Sequence, residues 1–390
     1  MSGLVVRPQA RIFHGHDWVY GSEIKKIFGE PRPGEVISLK DFKDRFLGSA
    51  IYNPESQIVA RRFSRRRQDL DREFFVRRLR RAWQHREAVG LGDPKGAVRC
   101  VWSESDGLPG VVLDRYGDQF ALQTLTLGMD QRKELLADAI REVFEPAVLV
   151  ERNDSPVRAA EGLAPEVKVL FGAPRREAMA LGGVACVVDL MEGQKTGLYL
   201  DQLDNYLEVA RFAKDRKVLD CFCNQGGFAL HAARAGAKEV TAIDSSESAV
   251  EAGRGNAQAS GLAVQFLVAN AFDYLKEAES GGQRFELIIL DPPSFTKSKK
   301  TVGGALRGYK EIHLRALKML EPGGILATFC CSHHISPAVF RELIQDAAND
   351  ARRTLRLRSS QSQRRDHPVL LSIPETEYLQ GLTLEVISSW

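Results

Sequence analysis

Two short runs hold the residue types with the most chemistry in them: the cysteine pair of TFCCSHH, residues 328–334, and the carboxylate of DPPSF, residues 291–295. Carbon 5 of a pyrimidine is a poor nucleophile. Methylating it requires a thiolate to add at carbon 6, which makes carbon 5 enamine-like, and a cysteine at the tip of a strand supplies that thiolate. Cys330 and Cys331 are adjacent, so strand alternation sends them to opposite faces and at most one faces a substrate. The plainer alternative for either is a small buried thiol. Asp291 leaves the end of an apolar strand, residues 287–290, where open α/β sheets place their ligands. Pro292 and Pro293 then keep the chain extended. This sets the Asp291 carboxylate and the Pro292 carbonyl to grip a polar base edge.

Methyltransferases that act on exocyclic amines typically carry an aromatic residue directly after D/N-P-P. Here Ser294 stands in that place and Phe295 one later, so an exocyclic nitrogen is the less favoured target. Cys221, Cys223, Cys330, Cys331, His333 and His334 also invite a metal reading, but the spacings are C-x-C and C-C, not C-x₂-C, and no metal is expected. His333 or His334 beside the thiol would lower its pKa.

The element that positions these groups is residues 217–244, which read as strand, glycine turn, helix, second strand and terminal acid. The apolar run around Val218 and Leu219, with Asp220 and Phe222, suits a buried parallel strand and its exit. Gly226 and Gly227 let the backbone turn tightly beside a ligand. Asp244, followed by Ser245, closes the second strand where a carboxylate accepts the hydrogen bonds of a ribose diol. A dinucleotide site would want G-x-G-x-x-G, but Asn224 and Phe228 occupy two of its small positions, so a pyrophosphate is disfavoured and S-adenosylmethionine suits the layout better. The third strand, residues 264–268, leads to Asn270, Ala271 and Phe272, an amide and an apolar pair suited to adenine. The polar stretch GQKTGLYLDQLD, residues 193–204, contributes Tyr199, Asp201 and Gln202 to the same pocket.

At 390 residues the chain is long for one core, and its apolar content of 44% predicts packed globular domains. The net charge is only +3, yet residues 61–81 hold ten arginines against three acids. Such a block points to a polyanion, a solvated helix face being the bland alternative. Arg61, Arg62, Arg65, Arg66 and Arg67, with Phe295 and Lys297, are the expected RNA contacts. No signal peptide is legible at the start, no run approaches the ~18 apolar residues of a membrane span, and a cytoplasmic protein with six reduced cysteines is expected.

The early landmarks HDWVYGSEI and PRPGEVISLKDFKDRFLGSAIYNPESQIVARRF occur in an order that resembles the PUA domain, a small RNA-binding β-barrel. With GQKTGLYLDQ, DCFCNQGGF, DPPSF, RGYKEI, FCCSHH and DHPV, nearly the whole chain resembles the PUA-containing 23S ribosomal RNA cytosine-5 methyltransferases. The resemblance implies an α/β fold in three parts: a PUA-like domain over residues 1–72, a central α+β domain over 73–183, and a Rossmann-like class I methyltransferase domain over 184–390. It implies S-adenosylmethionine as donor, 23S ribosomal RNA as substrate and a homodimer. The family's T-F-x-C-S pattern falls on Thr328, Phe329, Cys330, Cys331 and Ser332, which makes Cys331 the nucleophile, with Asp291 orienting the base. Two positions depart from the family. Its DQR is Asp201-Gln202-Leu203, and its third-strand acid is Asn270. An RNA N-methyltransferase with a structural Cys331, and an RNA-binding assembly factor without turnover, are the competing readings.

Overall fold

The computed structural model describes residues 2–193, 196–296, 301–332 and 334–387. The chain forms two compact units, one of Met1–Glu177, Val188–Leu200 and Arg365–Glu377, the other of Ala178–Val187, Asp201–Arg364 and Tyr378–Trp390.

The first unit holds two sheets. A six-stranded sheet runs Trp18–Tyr20, Ile58–Ser64, Phe46–Tyr52, Val36–Lys40, Gly3–Val6, Ile24–Phe28. Its pairs are antiparallel except Gly3–Val6 with Val36–Lys40. A tight turn at residues 41–44 forms because buried Asp41 accepts the backbone N–H groups of Lys43 and Arg45, both at 2.8 Å, which closes it without a glycine. A five-stranded sheet follows, in the order Glu166–Phe171, Val148–Asn153, Gln119–Thr124, Val111–Tyr116, Ala97–Trp102. The helix Arg72–Ala88 is capped by Asp71, which accepts the Phe74 N–H at 2.7 Å. Phe74, Phe75 and Leu79 are buried, as their spacing predicts, and each contributes about 1.5–3 kcal/mol of apolar burial. Arg86 lies on that buried face as well, and bidentate hydrogen bonds of 2.6 and 2.8 Å to Asp106 compensate it.

The second unit is built on seven strands: β1 Lys217–Cys221, β2 Glu239–Asp244, β3 Gln265–Val268, β4 Phe285–Leu290, β5 Leu320–Cys330, β6 Thr354–Ser362 and β7 Gln380–Ile387. Their order is β3-β2-β1-β4-β5-β7-β6. All neighbours are parallel except β7, which runs antiparallel to β5 and β6. Helices α1 Leu203–Ala210, α2 Gly227–Arg234, α3 Glu247–Ser260, α4 Ala271–Ser280, α5 Val302–Met319 and α6 Pro337–Asp350 connect them. The nearly continuous burial of β1, β4 and the end of β5 is what helices on both faces of a parallel sheet require. The strand order reverses between β1 and β4, so a crevice opens outside their carboxyl ends. That is where the sequence put its chemistry. A hairpin with strands Glu177–Leu181 and Val184–Val188, not anticipated from the sequence, is tied to the sheet's helices: His231 of α2 faces the Leu181 carbonyl at 3.1 Å, and Asn256 of α3 accepts the Val187 N–H at 2.9 Å.

Candidate functional site

The β1–α2 turn is built from backbone shapes that side-chain-bearing residues rarely adopt. Phe222 and Asn224 have φ of 63° and 49°, and Gly226 follows at 82°. Two such non-glycine residues cost about 1–3 kcal/mol each, and the surrounding hydrogen bonds hold them there. The Asn224 N–H donates to Asp244 Oδ2 and the Ser246 N–H to Asp244 Oδ1, both at 2.9 Å. The Asp244 carboxylate is thereby fixed at the tip of β2 with one lone pair on each oxygen still available for a diol. Ser245 beside it is exposed.

Asp220 is fully buried at the end of β1. Its Oδ2 accepts the Ala229 N–H in the first turn of α2 at 2.9 Å, while its Oδ1 has no hydrogen-bond partner among the described residues. Burial raises its pKa well above the carboxylate range, and the charges of Asp291 and Asp244 raise it further. Three carboxylates therefore converge on the switch point, one with an unanswered buried oxygen. This is an environment that attracts a ligand carrying positive charge and N–H donors.

Asp291, just past β4, accepts the Gln202 side-chain N–H at 3.0 Å, and Gln202 in turn accepts one from Asn205 at 2.7 Å. Asp201 accepts the Tyr378 hydroxyl at 2.7 Å and, through its carbonyl, the Arg364 N–H at 3.0 Å. Gln202 and Asn205 stand three apart at the start of α1, a spacing the sequence displays. Tyr378, far along the chain, had no local signal. Tyr206 is also drawn in: burial raises its pKa, followed by the charges of Asp291 and Asp201. Tyr199 belongs to the first unit, whereas Asp201 and Gln202 begin the second.

Several expectations need correction. Asn270 does not offer its side-chain oxygen to a ligand. That oxygen caps α4 by accepting the N–H groups of Phe272 and Asp273 at 2.9 and 3.4 Å, which leaves only the amide N–H donors for an adenine. Ala271 is buried beneath it. Phe295 is not a free RNA-stacking ring. It packs in an aromatic cluster with Phe222, Phe272 and Tyr309, at centroid distances of 6.2, 5.6 and 4.6 Å. Arg61 and Arg62 are not part of a solvent-facing patch either. Arg61 pairs with Glu104 and Glu161 at 3.0 and 3.1 Å, and Arg62 with Asp17 at 2.7 Å. Burying them without these carboxylates would be prohibitive. Arg65, Arg66 and Arg67 are exposed. Lys297 and His333 lie outside the described residues.

At the end of β5 the two cysteines differ in exposure. Cys330 is 1% exposed and donates to the Tyr309 hydroxyl at 3.6 Å, and burial raises its pKa. Cys331, the first residue past the strand, is half-buried. Beneath them Thr328 meets His313, whose Nε2 lies 2.8 Å from the hydroxyl, while Nδ1 lies 2.6 Å from the Tyr309 carbonyl. Pro292 is buried next to Asp291, consistent with a rigid loop.

A family model described as a PUA-like domain matches residues 7–65, and one described as an S-adenosylmethionine-dependent methyltransferase matches residues 167–362. The chain is 38% identical to the ribosomal RNA large subunit methyltransferase I of Vibrio vulnificus (strain CMCP6), over 98% of both chains. It is 38% identical to the protein of that name from Tolumonas auensis, over 95% of this chain and 96% of the relative. In fold it resembles the crystal structure of SMU.776 complexed with SAH, with a TM-score of 0.86, 22% identity and coverage of 99% and 100% of the two chains. A second structure, from Streptococcus mutans, gives a TM-score of 0.84, also at 22% identity, covering 99% and 100%.

Proposed function

The chain belongs to the S-adenosylmethionine-dependent methyltransferase family, and from that premise we propose that it methylates carbon 5 of a cytosine in large-subunit ribosomal RNA through a covalent adduct with Cys331. Its relatives are named for methylation of large-subunit ribosomal RNA, and its PUA-like domain fits an RNA substrate. S-adenosylmethionine supplies an electrophilic methyl group. The residues suited to hold it are Asp244 and Ser245 toward the ribose, the Asn270 amide, Ala271 and Phe272 toward the adenine, and Asp220, Phe222, Gly226, Gly227, Asp201 and Gln202 around the amino-acid part. The unanswered Asp220 oxygen fits an ammonium donor.

In this reading the Cys331 thiolate adds to carbon 6, and the electron pair displaced from the ring double bond makes carbon 5 nucleophilic. Once carbon 5 carries the methyl group, loss of its proton lets the thiolate leave and restores the ring. Asp291, steadied by Gln202, and the Pro292 carbonyl hold the base edge. Arg65, Arg66 and Arg67 engage phosphates. The division at residues 72 and 183 and a homodimer belong to the same proposal, the latter checked by sedimentation.

The observation that carries the mechanism is the contrast between the two thiols: Cys330 is shut in against Tyr309, and Cys331 is half-open at the carboxyl end of β5. The test is a pair of variants. Cys331→Ser should lower turnover at least ~10³-fold, about 4 kcal/mol of barrier, with unchanged affinity for S-adenosylhomocysteine. Cys330→Ser should keep turning over. RNA containing 5-fluorocytosine should trap an adduct only when Cys331 is present. Methylation at the wild-type rate by the Cys331→Ser protein would overturn the covalent mechanism and favour a nitrogen target.

A further inference from the structure

The first unit contains a cleft of about 430 Å³ that the methyl-transfer reading leaves unused. One wall is a face of the helix Arg72–Ala88, where Arg78, Arg81 and His85 recur at helical spacing. The opposite wall comes from residues 368–370, the late DHPV stretch and its continuation, and residues 104–107 form the floor.

Two acids line this floor, and both are answered from behind. Asp106 takes the bidentate guanidinium of Arg86. Glu104 accepts Arg61 at 3.0 Å and the Trp18 indole N–H at 2.7 Å. The basic side chains on the helix wall have no such balance. Arg78 donates to the Phe63 carbonyl at 3.0 Å and lies 5.2 Å over the Phe74 ring, both of them uncharged partners. Arg81 and His85 are exposed and, among the described residues, have no ion-pair partner. Burial and then the charges of Arg81 and Arg77 lower the pKa of Arg78, so the guanidinium groups crowd one another. The far wall is apolar: Val369 is 40% exposed, Leu370 is half-buried, and Leu371 next to them is 97% exposed.

We infer that this cleft binds a nucleotide of RNA, its backbone phosphate on Arg78, Arg81 and His85 and its sugar and base against the apolar wall at Val369 and Leu370. Its volume suits a nucleotide-sized group. Unpaired guanidinium groups are the usual phosphate ligands, and an apolar wall accepts any base, which makes the contact one of affinity and positioning. The inference rests on the reading that the substrate is ribosomal RNA and adds to it a contact site composed of residues distant in sequence.

The experiment uses the full chain and a 23S ribosomal RNA transcript. Binding is measured across a potassium chloride series for wild type, Arg81→Gln, His85→Gln and the double variant, with thermal melts and S-adenosylhomocysteine calorimetry alongside. Both side chains are exposed, so melts and calorimetry should not change. The Arg81→Gln variant should reduce the slope of log affinity against log salt by about one and weaken binding uniformly across RNA sequences. Ultraviolet crosslinks from the wild-type complex should fall on residues 366–371. Wild-type slope and affinity in the double variant, with crosslinks elsewhere, would overturn the cleft assignment while leaving the ribosomal RNA reading intact. Salt-independent or absent binding by the wild type, with S-adenosylhomocysteine still bound, would overturn both.

Discussion

Replacing Gly227 by alanine should destabilise the protein, although it adds a good helix former at the first position of α2. A β-carbon at Gly227 would lie 2.3 Å from Cζ of Tyr206 and 2.7 Å from its Cε2 and hydroxyl oxygen. The ring cannot retreat freely, because it is set edge-on against Phe228 at 4.6 Å and lies 5.4 Å from the His231 ring. Glycine to alanine in a helix ordinarily gains about 0.5–1 kcal/mol, while overpacking of this kind costs about 1–3 kcal/mol. The clash wins, with a net loss of about 1–2 kcal/mol and a fall in melting temperature of roughly 2–8 °C. Gly255 in α3 is the internal control. It is exposed, and a β-carbon there would meet nothing within 4 Å. The same substitution at Gly255 should raise stability by about 0.5–1 kcal/mol. Thermal and urea melts of the two variants read the sign directly. A Gly227→Ala protein at least as stable as wild type would refute the packing argument, and so would a Gly255→Ala protein that loses as much.

Further outcomes follow from the buried charges. Arg86→Ala leaves the Asp106 carboxylate at the cleft floor without its guanidinium and should cost about 3–5 kcal/mol in chemical denaturation, whereas Arg86→Met with Asp106→Leu should recover most of it; equal losses in both would show that the stranded carboxylate is not the cause. Burial holds His313 down at about 4. It is therefore neutral in the native state, and the stability it contributes is lost as pH falls from about 6.5 toward 4, up to about 3 kcal/mol. His313→Gln should flatten that part of the profile, and an NMR titration midpoint near the ordinary histidine value would contradict it. Asp220 is shifted the opposite way. As an acid with a raised native pKa, it favours folding at low pH and that contribution is lost as pH rises through its native value. Asp220→Asn should reduce this loss in the ligand-free protein while weakening S-adenosylmethionine about 10- to 100-fold by calorimetry, through loss of a charged hydrogen bond. Unchanged affinity would remove Asp220 from the donor site.

Much of the methyltransferase half was legible because its signals are local. The β1–α2–β2 unit, with its glycine turn and its terminal Asp244, is settled within a few residues by backbone geometry. The corrections share one cause. Arg61, Arg62, Asn270 and Phe295 each offered a group able to meet a ligand. In the fold those groups meet Glu104 and Glu161, Asp17, the first turn of α4, and Tyr309 instead. Residue type says what a side chain can bind, while burial decides whether a protein partner has already taken it.

Taken alone, the sequence determined which strands carry the candidate residues, because hydrophobic periodicity and strand alternation are properties of neighbouring residues. Tertiary structure decided which of those residues are available. It brought Tyr378 to Asp201, left one oxygen of Asp220 unanswered, and returned residues 365–377 to the first unit, where Asp366 accepts the Arg99 N–H at 3.0 Å and its carbonyl accepts Arg86 at 2.7 Å. Such pairings join residues that chain-local rules never compare, and the cost of burying a charge or a polar group without a partner is what selects them.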